Sequence, residues 1–141
     1  MTATAFIDTS VLVAAMVADE DFHEECDALL DAGSLGIFAH GLVETFSTLT
    51  GGRTAFRMGA ETATTVLEED FIPSLEVISL TPAETLRAMR ESQPRGVRGG
   101  AIFDYLHLVA ARKARAKRLY TLNVANFRSF HRPGDPDVLH P

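Results

Sequence analysis

Short apolar runs that alternate with helix-type segments constrain the fold of this chain more than any other feature. Four runs have the length and composition of buried strands: "TAFID" (4–8), "LGIFA" (35–39), "LEVISL" (75–80) and "RLYTL" (118–122). The C-terminal "DVLHP" (137–141) is a candidate fifth strand. The alternation predicts an α/β fold in which a mainly parallel sheet of four to five strands is covered by helices.

The helix-type segments carry apolar residues at helical spacing and end at glycine-rich turns. We expect the helix after the first strand to be capped by Thr9 or Ser10, and a later helix to start at Pro82 behind the N-cap Thr81. The other predicted helices cover residues 21–33, 41–50, 61–72 and 100–116.

Length and cysteine usage indicate the class of protein. A chain of 141 residues is typical of one domain, so we predict a single domain over 1–141. Cys26 is the only cysteine, which excludes an intramolecular disulfide and any multi-cysteine metal site. The N-terminal region lacks the pattern of a signal peptide, and no apolar run is long enough for a membrane span. We therefore expect a cytoplasmic protein without membrane contact.

Charge is distributed unevenly along the chain. The net charge is −6, yet residues 1–52 hold nine acidic residues and no Lys or Arg, while residues 53–141 hold all 13 basic residues. Such asymmetry can attract a polyanion even when the total is negative. A single arginine can equally belong to a solvated helix face.

One carboxylate, Asp8, interrupts the first apolar run and is followed at once by two hydroxyl residues. Burying an unpaired carboxylate costs several kcal/mol or more, so Asp8 needs a partner. Capping the next helix is one explanation. Two further acids, Glu44 and Asp104, fall in the first turns of their helices, where the helix dipole alone stabilises them by about 0.3–1 kcal/mol.

Helical periodicity predicts that both acids point away from the core. We expect Leu42, Phe46 and Leu49 to form the core stripe of one helix, with Glu44 opposite. On the other helix the predicted core stripe is Ile102, Leu106 and Val109. Asp104 then lies on the far side, in line with His107, which we expect on the helix surface or in a hydrogen bond.

Four segments of the chain resemble, in order, the four motifs of PIN-domain ribonucleases. They are "FIDTSVLVAA", with Asp8; "HGLVETFSTL", with Glu44; "IFDYLHLVAA", with Asp104; and "LYTLNVANFRSF". Within that family the chain is most similar to the toxins of bacterial VapBC toxin–antitoxin pairs. One departure is in the fourth motif, where many members have an aspartate and this chain has Asn123, followed by Asn126.

The resemblance implies a three-layer α/β/α PIN-like fold and a metal-dependent endoribonuclease activity. The expected products carry a 3′-hydroxyl and a 5′-phosphate, and the expected substrate is structured RNA such as tRNA or rRNA. Family toxins are usually homodimers that a cognate antitoxin protein inhibits, so we expect both partners here.

Carboxylates brought together would need a compensating charge. At about 4 Å and an effective dielectric near 20, each pair repels by about 4 kcal/mol. Oxygen-only ligands suit a hard cation, so we expect Mg²⁺ or Mn²⁺. We assign Asp8 and Asp104 as direct ligands and Glu44 as a ligand through water or a base.

The remaining predicted residues surround this centre. Asn123 would hold a water, with Asn126 as the alternative for the fourth position, while Thr9, Ser10 and Thr121 would orient the acids through hydrogen bonds. Candidate contacts to RNA phosphates are Arg53, Arg57, Arg95 and Arg98.

Other functions remain open at this point. A PIN-like domain that has lost catalysis and only binds a partner is compatible with the asparagines of the fourth motif. A phosphoacceptor domain of the receiver type is less compatible, because it needs an acidic pair after the first strand and a lysine after a late one. A phosphatase of the haloacid dehalogenase type would need a second aspartate where Ser10 stands.

Overall fold

A computed structural model describes residues 3–52 and 57–141 of the chain. Within these residues five strands form one sheet in the order β3-β2-β1-β4-β5, and every neighbouring pair is parallel. The strands are β1 (Ala5–Ile7), β2 (Leu35–Phe38), β3 (Leu75–Ile78), β4 (Arg118–Tyr120) and β5 (Asp137–Leu139). The predicted parallel sheet is thus confirmed, and the C-terminal run does supply its fifth strand.

Side chains of β1 alternate between two cores, one on each face of the sheet. Phe6 packs into a core with Tyr105, Leu108 and Phe127. Ala5 and Ile7 point the other way, into a core with residues of the first two helices and of β2. Because successive strand side chains face opposite sides, a three-residue strand is enough to join both cores. The predicted three-layer α/β/α architecture is therefore confirmed.

Seven α-helices in the described ranges cover the sheet. They are α1 (Thr9–Met16), α2 (His23–Ala32), α3 (His40–Gly51), α4 (Ala60–Val66), α5 (Pro82–Arg95), α6 (Ala101–Lys113) and α7 (Val124–Arg128). None of the helices in this part of the chain is long and apolar enough to cross a membrane.

Two features of the helices differ from prediction. The helix predicted over 61–72 ends as α4 at Val66 and continues as a π-helical turn, Leu67–Phe71, and a 3₁₀ turn, Ile72–Ser74. Pro73 has no backbone N–H to donate, so the helix cannot continue into β3. The helix α7 was not predicted, because five residues are too few to show helical periodicity.

The caps of α1 and α5 test two sequence predictions. Asp8, not Thr9 or Ser10, is the N-cap of α1: its backbone is extended and its carboxylate accepts a hydrogen bond from the Val11 N–H. The prediction of Thr9 or Ser10 as the cap was therefore wrong, whereas the alternative that Asp8 caps the next helix is confirmed. Thr81 is confirmed as the cap of α5, and Glu84 completes a capping box with it.

The buried face of α6 is wider than periodicity predicted. Val109 is buried as expected, but Ile102 and Leu106 are only half-buried, whereas His107 and Ala111 are fully buried. The side predicted to face away from the core is therefore packed inside the fold. The prediction was wrong because α6 lies against β2 as well as α5 and so buries more than one stripe.

Candidate active site

The order of the strands brings the predicted acids to one edge of the sheet. Asp8 follows β1, and Thr121 follows β4, which is paired with β1. Helix α3 starts two residues after β2 and carries Glu44. The carboxyl ends of neighbouring parallel strands form the usual place for a ligand site in such sheets.

Asp8 is only 2% exposed, and two side-chain hydroxyl groups donate hydrogen bonds to its carboxylate. The Ser10 hydroxyl donates to Oδ1 at 2.6 Å, and the Thr121 hydroxyl donates to Oδ2 at 2.6 Å. The Val11 N–H adds a longer bond to Oδ1 of 3.3 Å. Hydrogen bonds to an ionised group are short and strong, so these donors hold the carboxylate in one orientation.

Glu44 is held by a second set of donors. Its Oε1 accepts hydrogen bonds from the Thr9 hydroxyl at 3.1 Å and from Nε2 of His107 at 2.9 Å, while Nδ1 of His40 lies 3.6 Å away. Burial acts to raise the pKa of Glu44, but the hydrogen bond and charge of His107, the Thr9 hydroxyl and the charge of His40 outweigh it. The pKa of Glu44 is therefore lowered, and its carboxylate is ionised at neutral pH.

His107 is the residue whose place the sequence did not reveal. Its side chain is 1% exposed, and Nε2 donates to Glu44 because an ionised carboxylate can only accept. Nδ1 has no hydrogen-bond partner in the described part of the chain. Gly41 permits this approach, since a Cβ there would lie 3.0 Å from Cε1 of His107. The available signal was the spacing of Asp104 and His107, three residues apart on one helix.

Asp104 is the least satisfied of the three acids. It is half-buried, and none of the described residues donates a hydrogen bond to its carboxylate. Burial raises its pKa most and the negative charge of Asp8 raises it next, while the charge of His107 lowers it and that of Glu44 raises it by a smaller amount. The charges of all three carboxylates therefore act on one another.

The asparagines of the fourth motif lie beside this cluster. The Asn123 N–H donates to the Thr121 hydroxyl at 2.9 Å, which links it to Asp8 through one side chain. Asn123 also lines a cavity of about 250 Å³ together with Ser10 and Leu122. Asn126 is exposed one turn further along α7. Of the two, Asn123 is connected to the acids.

The four arginines predicted to contact phosphate have different surroundings. Arg57 and Arg98 are exposed, and Arg53 lies outside the described residues. Arg95 forms an ion pair with Asp135, packs over the Tyr105 ring and is 17% exposed. Its role as a phosphate contact stays a prediction. A phosphate there would compete with Asp135 for the guanidinium of Arg95.

The candidate metal ligands at this site are carboxylate oxygens. Across residues 3–52 and 57–141, no group of three or more His, Cys, Asp or Glu side chains is placed so that it could hold a metal ion by itself. The nearby groups are oxygen donors, and the negative charges of Asp8 and Glu44 add to the effect of burial in raising the pKa of Asp104. This set fits Mg²⁺, which keeps several waters and takes one or two carboxylates plus substrate phosphate.

Comparison with known proteins assigns the chain to a family. The family model of the PIN domain matches residues 5–131. The chain belongs to the PIN-domain family. The match begins at β1 and ends just after α7, so it contains Asp8, Glu44, Asp104 and Asn123. No curated protein matches the chain.

Solved structures of a toxin and of toxin–antitoxin complexes share the fold at low sequence identity. VapC20 of Mycobacterium tuberculosis, described as a sarcin-ricin loop cleaving toxin, has a TM-score of 0.71 and 17% identity, covering 94% of this chain and 99% of that one. A toxin–antitoxin complex from Klebsiella pneumoniae has a TM-score of 0.65 and 19% identity, with 97% of each chain covered. VapBC2 of Rickettsia felis, bound to promoter DNA, has a TM-score of 0.64 and 18% identity, covering 96% of this chain and 97% of that one.

Proposed function

We propose that this PIN domain is a metal-dependent endoribonuclease and the toxin of a type II toxin–antitoxin pair. One observation carries the nuclease proposal: Asp104 is half-buried, without a donor among the described residues, and faces the charges of Asp8 and Glu44. Carboxylates that lie close together destabilise the fold through their mutual repulsion unless a bound cation compensates their charge. Mg²⁺ or Mn²⁺ suits the oxygen donors.

The acids have distinct roles in this proposal. Asp8 and Asp104 would hold the cation, and Glu44 would contact it through water or accept a proton from the attacking water. When bound, the cation supplies Lewis-acid polarisation of the scissile phosphodiester. Ser10 and Thr121 keep Asp8 oriented, while Thr9 and His107 keep Glu44 oriented and ionised. Asn123 would position a water at the Thr121 end of the site.

The biological setting of the proposal rests on the structural relatives. One relative is described as cleaving the sarcin-ricin loop and two are toxin–antitoxin assemblies. We therefore propose structured RNA as substrate, with tRNA and rRNA as the classes to test, a cognate antitoxin as inhibitor, and a homodimer that acts in the cytoplasm. Exposed Arg57 and Arg98 are the first candidates for contacts to RNA phosphates.

A second candidate function is binding without catalysis. The observation that favours it is Asn123, which brings a neutral amide to a position where many PIN domains have a carboxylate. A site with fewer charges binds a cation less tightly, so a domain that keeps only partner binding is the alternative.

Cleavage of RNA by the full chain distinguishes the two functions. Total tRNA and rRNA are incubated with protein freed of antitoxin, with Mg²⁺ or Mn²⁺ and with EDTA, and 5′ ends are mapped. We expect cleavage that EDTA abolishes. The Asp104→Asn variant should lose about 100-fold or more, because Lewis-acid stabilisation is worth several kcal/mol.

The matched control is Glu61→Gln, which neutralises an exposed acid in the first turn of α4. It should cleave like the unmodified chain. Cleavage that survives both EDTA and Asp104→Asn would overturn the metal mechanism. RNA or antitoxin binding without any cleavage would establish the binding domain instead.

A further inference from the structure

Beside the acids lies an exposed pair of parallel rings, His40 and Phe103, here called the aromatic platform. The two ring centroids are 5.6 Å apart and the ring planes differ by 14°. Phe103 is 47% exposed and the His40 side chain 45% exposed. Phe38 stands behind His40, with ring centroids 6.1 Å apart, and is itself buried. The platform is therefore supported from the core and open on the surface.

The platform forms one wall of a cavity that reaches the candidate active site. The cavity measures about 430 Å³ and is lined by His40, Val43, Glu44, Ser47, Thr48 and Phe103. Glu44 belongs both to this wall and to the cluster of acids. The cavity therefore adjoins the cluster of acids, and its size is within the range of small-ligand sites.

We propose that the aromatic platform stacks a nucleobase of the RNA strand, next to the phosphodiester held at Asp8 and Asp104. The proposal rests on the proposed function and adds to it a subsite for an unpaired base. Proteins bind single-stranded RNA by stacking splayed bases on aromatic side chains, including Phe and His. The Ser47 and Thr48 hydroxyls would face the edge of such a base.

Charge and size favour a base over the other possible occupants. The ionised carboxylate of Glu44 lines this cavity and repels a phosphate but not a neutral base, while the rings of His40 and Phe103 can stack on a base whatever the charge of His40. A stable protein interface buries about 800 Å² on each partner. Among the described residues, this patch contains two large exposed apolar side chains, Val43 and Phe103. That is too little apolar surface to hold a second protein chain by itself.

The first test measures the affinity of RNA probes that differ only in their bases. The probes are a 12-nucleotide oligoadenylate and a 12-mer of the same sugar-phosphate backbone without bases, both bound to the Asp104→Asn variant, in which cleavage is expected to be strongly reduced. Adding Phe103→Ala should weaken oligoadenylate binding roughly 5- to 150-fold, the measured range for loss of one stacked base. Binding of the baseless 12-mer should change less than 2-fold. Phe103→Tyr, which keeps the ring, should restore oligoadenylate binding.

The second test uses fluorescence, since the chain contains no tryptophan. Phe103→Trp places a single indole on the platform, and Leu86→Trp places one on α5, where Leu86 is 54% exposed. Oligoadenylate should quench the indole of Phe103→Trp but not that of Leu86→Trp. The baseless 12-mer should quench neither.

The outcomes separate this inference from the proposed function. If the unmodified chain cleaves RNA but Phe103→Ala weakens the binding of both probes equally, the platform does not stack a base. Only this inference is then overturned. If oligoadenylate is stacked but no RNA is cleaved, the inference stands and the nuclease proposal fails. A dimer in solution that Phe103→Ala dissociates would assign the platform to a second copy of the chain and overturn the inference.

Discussion

At the scale of single residues, the candidate active site depends on hydroxyl groups that donate hydrogen bonds to its carboxylates. Asp8 is buried, and two hydroxyls and one backbone N–H satisfy it. Thr121 is shared between this carboxylate and the N–H of Asn123. A small set of hydroxyl side chains therefore determines where the charge of Asp8 points, and no basic side chain cancels it through a hydrogen bond within the described ranges.

Thr121→Val should destabilise the fold and disturb the site together. The substitution keeps the shape of a fully buried side chain but removes the donor to Asp8 Oδ2 and the acceptor of the Asn123 N–H. We expect a loss of about 1.5–3 kcal/mol in the free energy of unfolding, the usual worth of a hydrogen bond to a charged group. Urea denaturation measures it.

The control for this prediction is Thr64→Val. The Thr64 hydroxyl is exposed and donates to the carbonyl of Ala60 within its own helix. Its replacement should change stability by less than about 0.5 kcal/mol. Equal losses in the two variants would show that Asp8 does not depend on Thr121.

At the scale of elements, close contact between the sheet and its helices sets the position of the acids. In β2, Gly36 faces Phe6 of β1, whose ring occupies the space that a side chain on Gly36 would need. In α3, Gly41 lets His107 of α6 approach Glu44. Small residues thus bring together three elements that carry the candidate active site.

Gly36→Ala should therefore disrupt the sheet. A Cβ at this position would lie 2.4 Å from Cε1 of Phe6, so the Phe6 ring or a strand must move. We expect a loss of about 1–3 kcal/mol or more in unfolding free energy, as for other overpacked cores. Calorimetry should show a lower melting temperature.

The matched glycine is Gly51, the last residue of α3, where a Cβ would meet nothing within 4 Å. Gly51→Ala should be neutral or stabilise by up to about 1 kcal/mol, because alanine favours the helix. If Gly36→Ala changed the free energy of unfolding as little as Gly51→Ala, the close packing of Phe6 against Gly36 of β2 described above would be contradicted.

Sequence patterns predicted the elements better than their buried faces. The strands were found because their apolar runs are short and bounded by polar residues. The buried face of α6 was not predicted correctly, because a histidine such as His107 is typical of a helix surface unless a partner such as Glu44 lies opposite it. Burial of a polar side chain depends on its partner, and that partner is 63 residues away.

At the scale of the whole molecule, an ion-pair cluster ties the C-terminal segment to α5 and α6. The Asp135 side chain is 3% exposed and binds Arg95 of α5 and Arg112 of α6. Arg112 in turn donates a hydrogen bond to Glu91, which also accepts a hydrogen bond from the Tyr105 hydroxyl. The cluster fixes the loop before β5 and thereby the edge of the sheet.

Asp135 should make stability depend on pH. Burial acts to raise its pKa, but the hydrogen bonds from Arg95 and from the Arg132 N–H, with the charges of Arg95 and Arg112, lower it below the ordinary 3.8. A lowered pKa stabilises the fold above the ordinary value, and this contribution is lost as the pH falls through the folded pKa. Asp135→Asn should therefore cost about 3 kcal/mol at pH 7 and progressively less below about pH 4.

Urea denaturation between pH 7 and pH 3 measures this difference. The control is Asp31→Asn, an exposed acid near the end of α2, which should change stability at pH 7 by less than about 0.5 kcal/mol. A constant difference between Asp135→Asn and the unmodified chain at every pH would contradict the prediction.

The amino-acid sequence by itself determined the α/β class, the parallel sheet, the cap at Thr81 and the resemblance of four motifs to PIN domains. These follow from local patterns: the period of apolar residues, the chemistry of caps and the order of short motifs. The tertiary structure alone decided that His107 binds Glu44, that Arg95 pairs with Asp135, and that His40 and Phe103 stack beside the acids. Each of these contacts depends on where a side chain's partner lies in space, which the local sequence around that side chain does not encode.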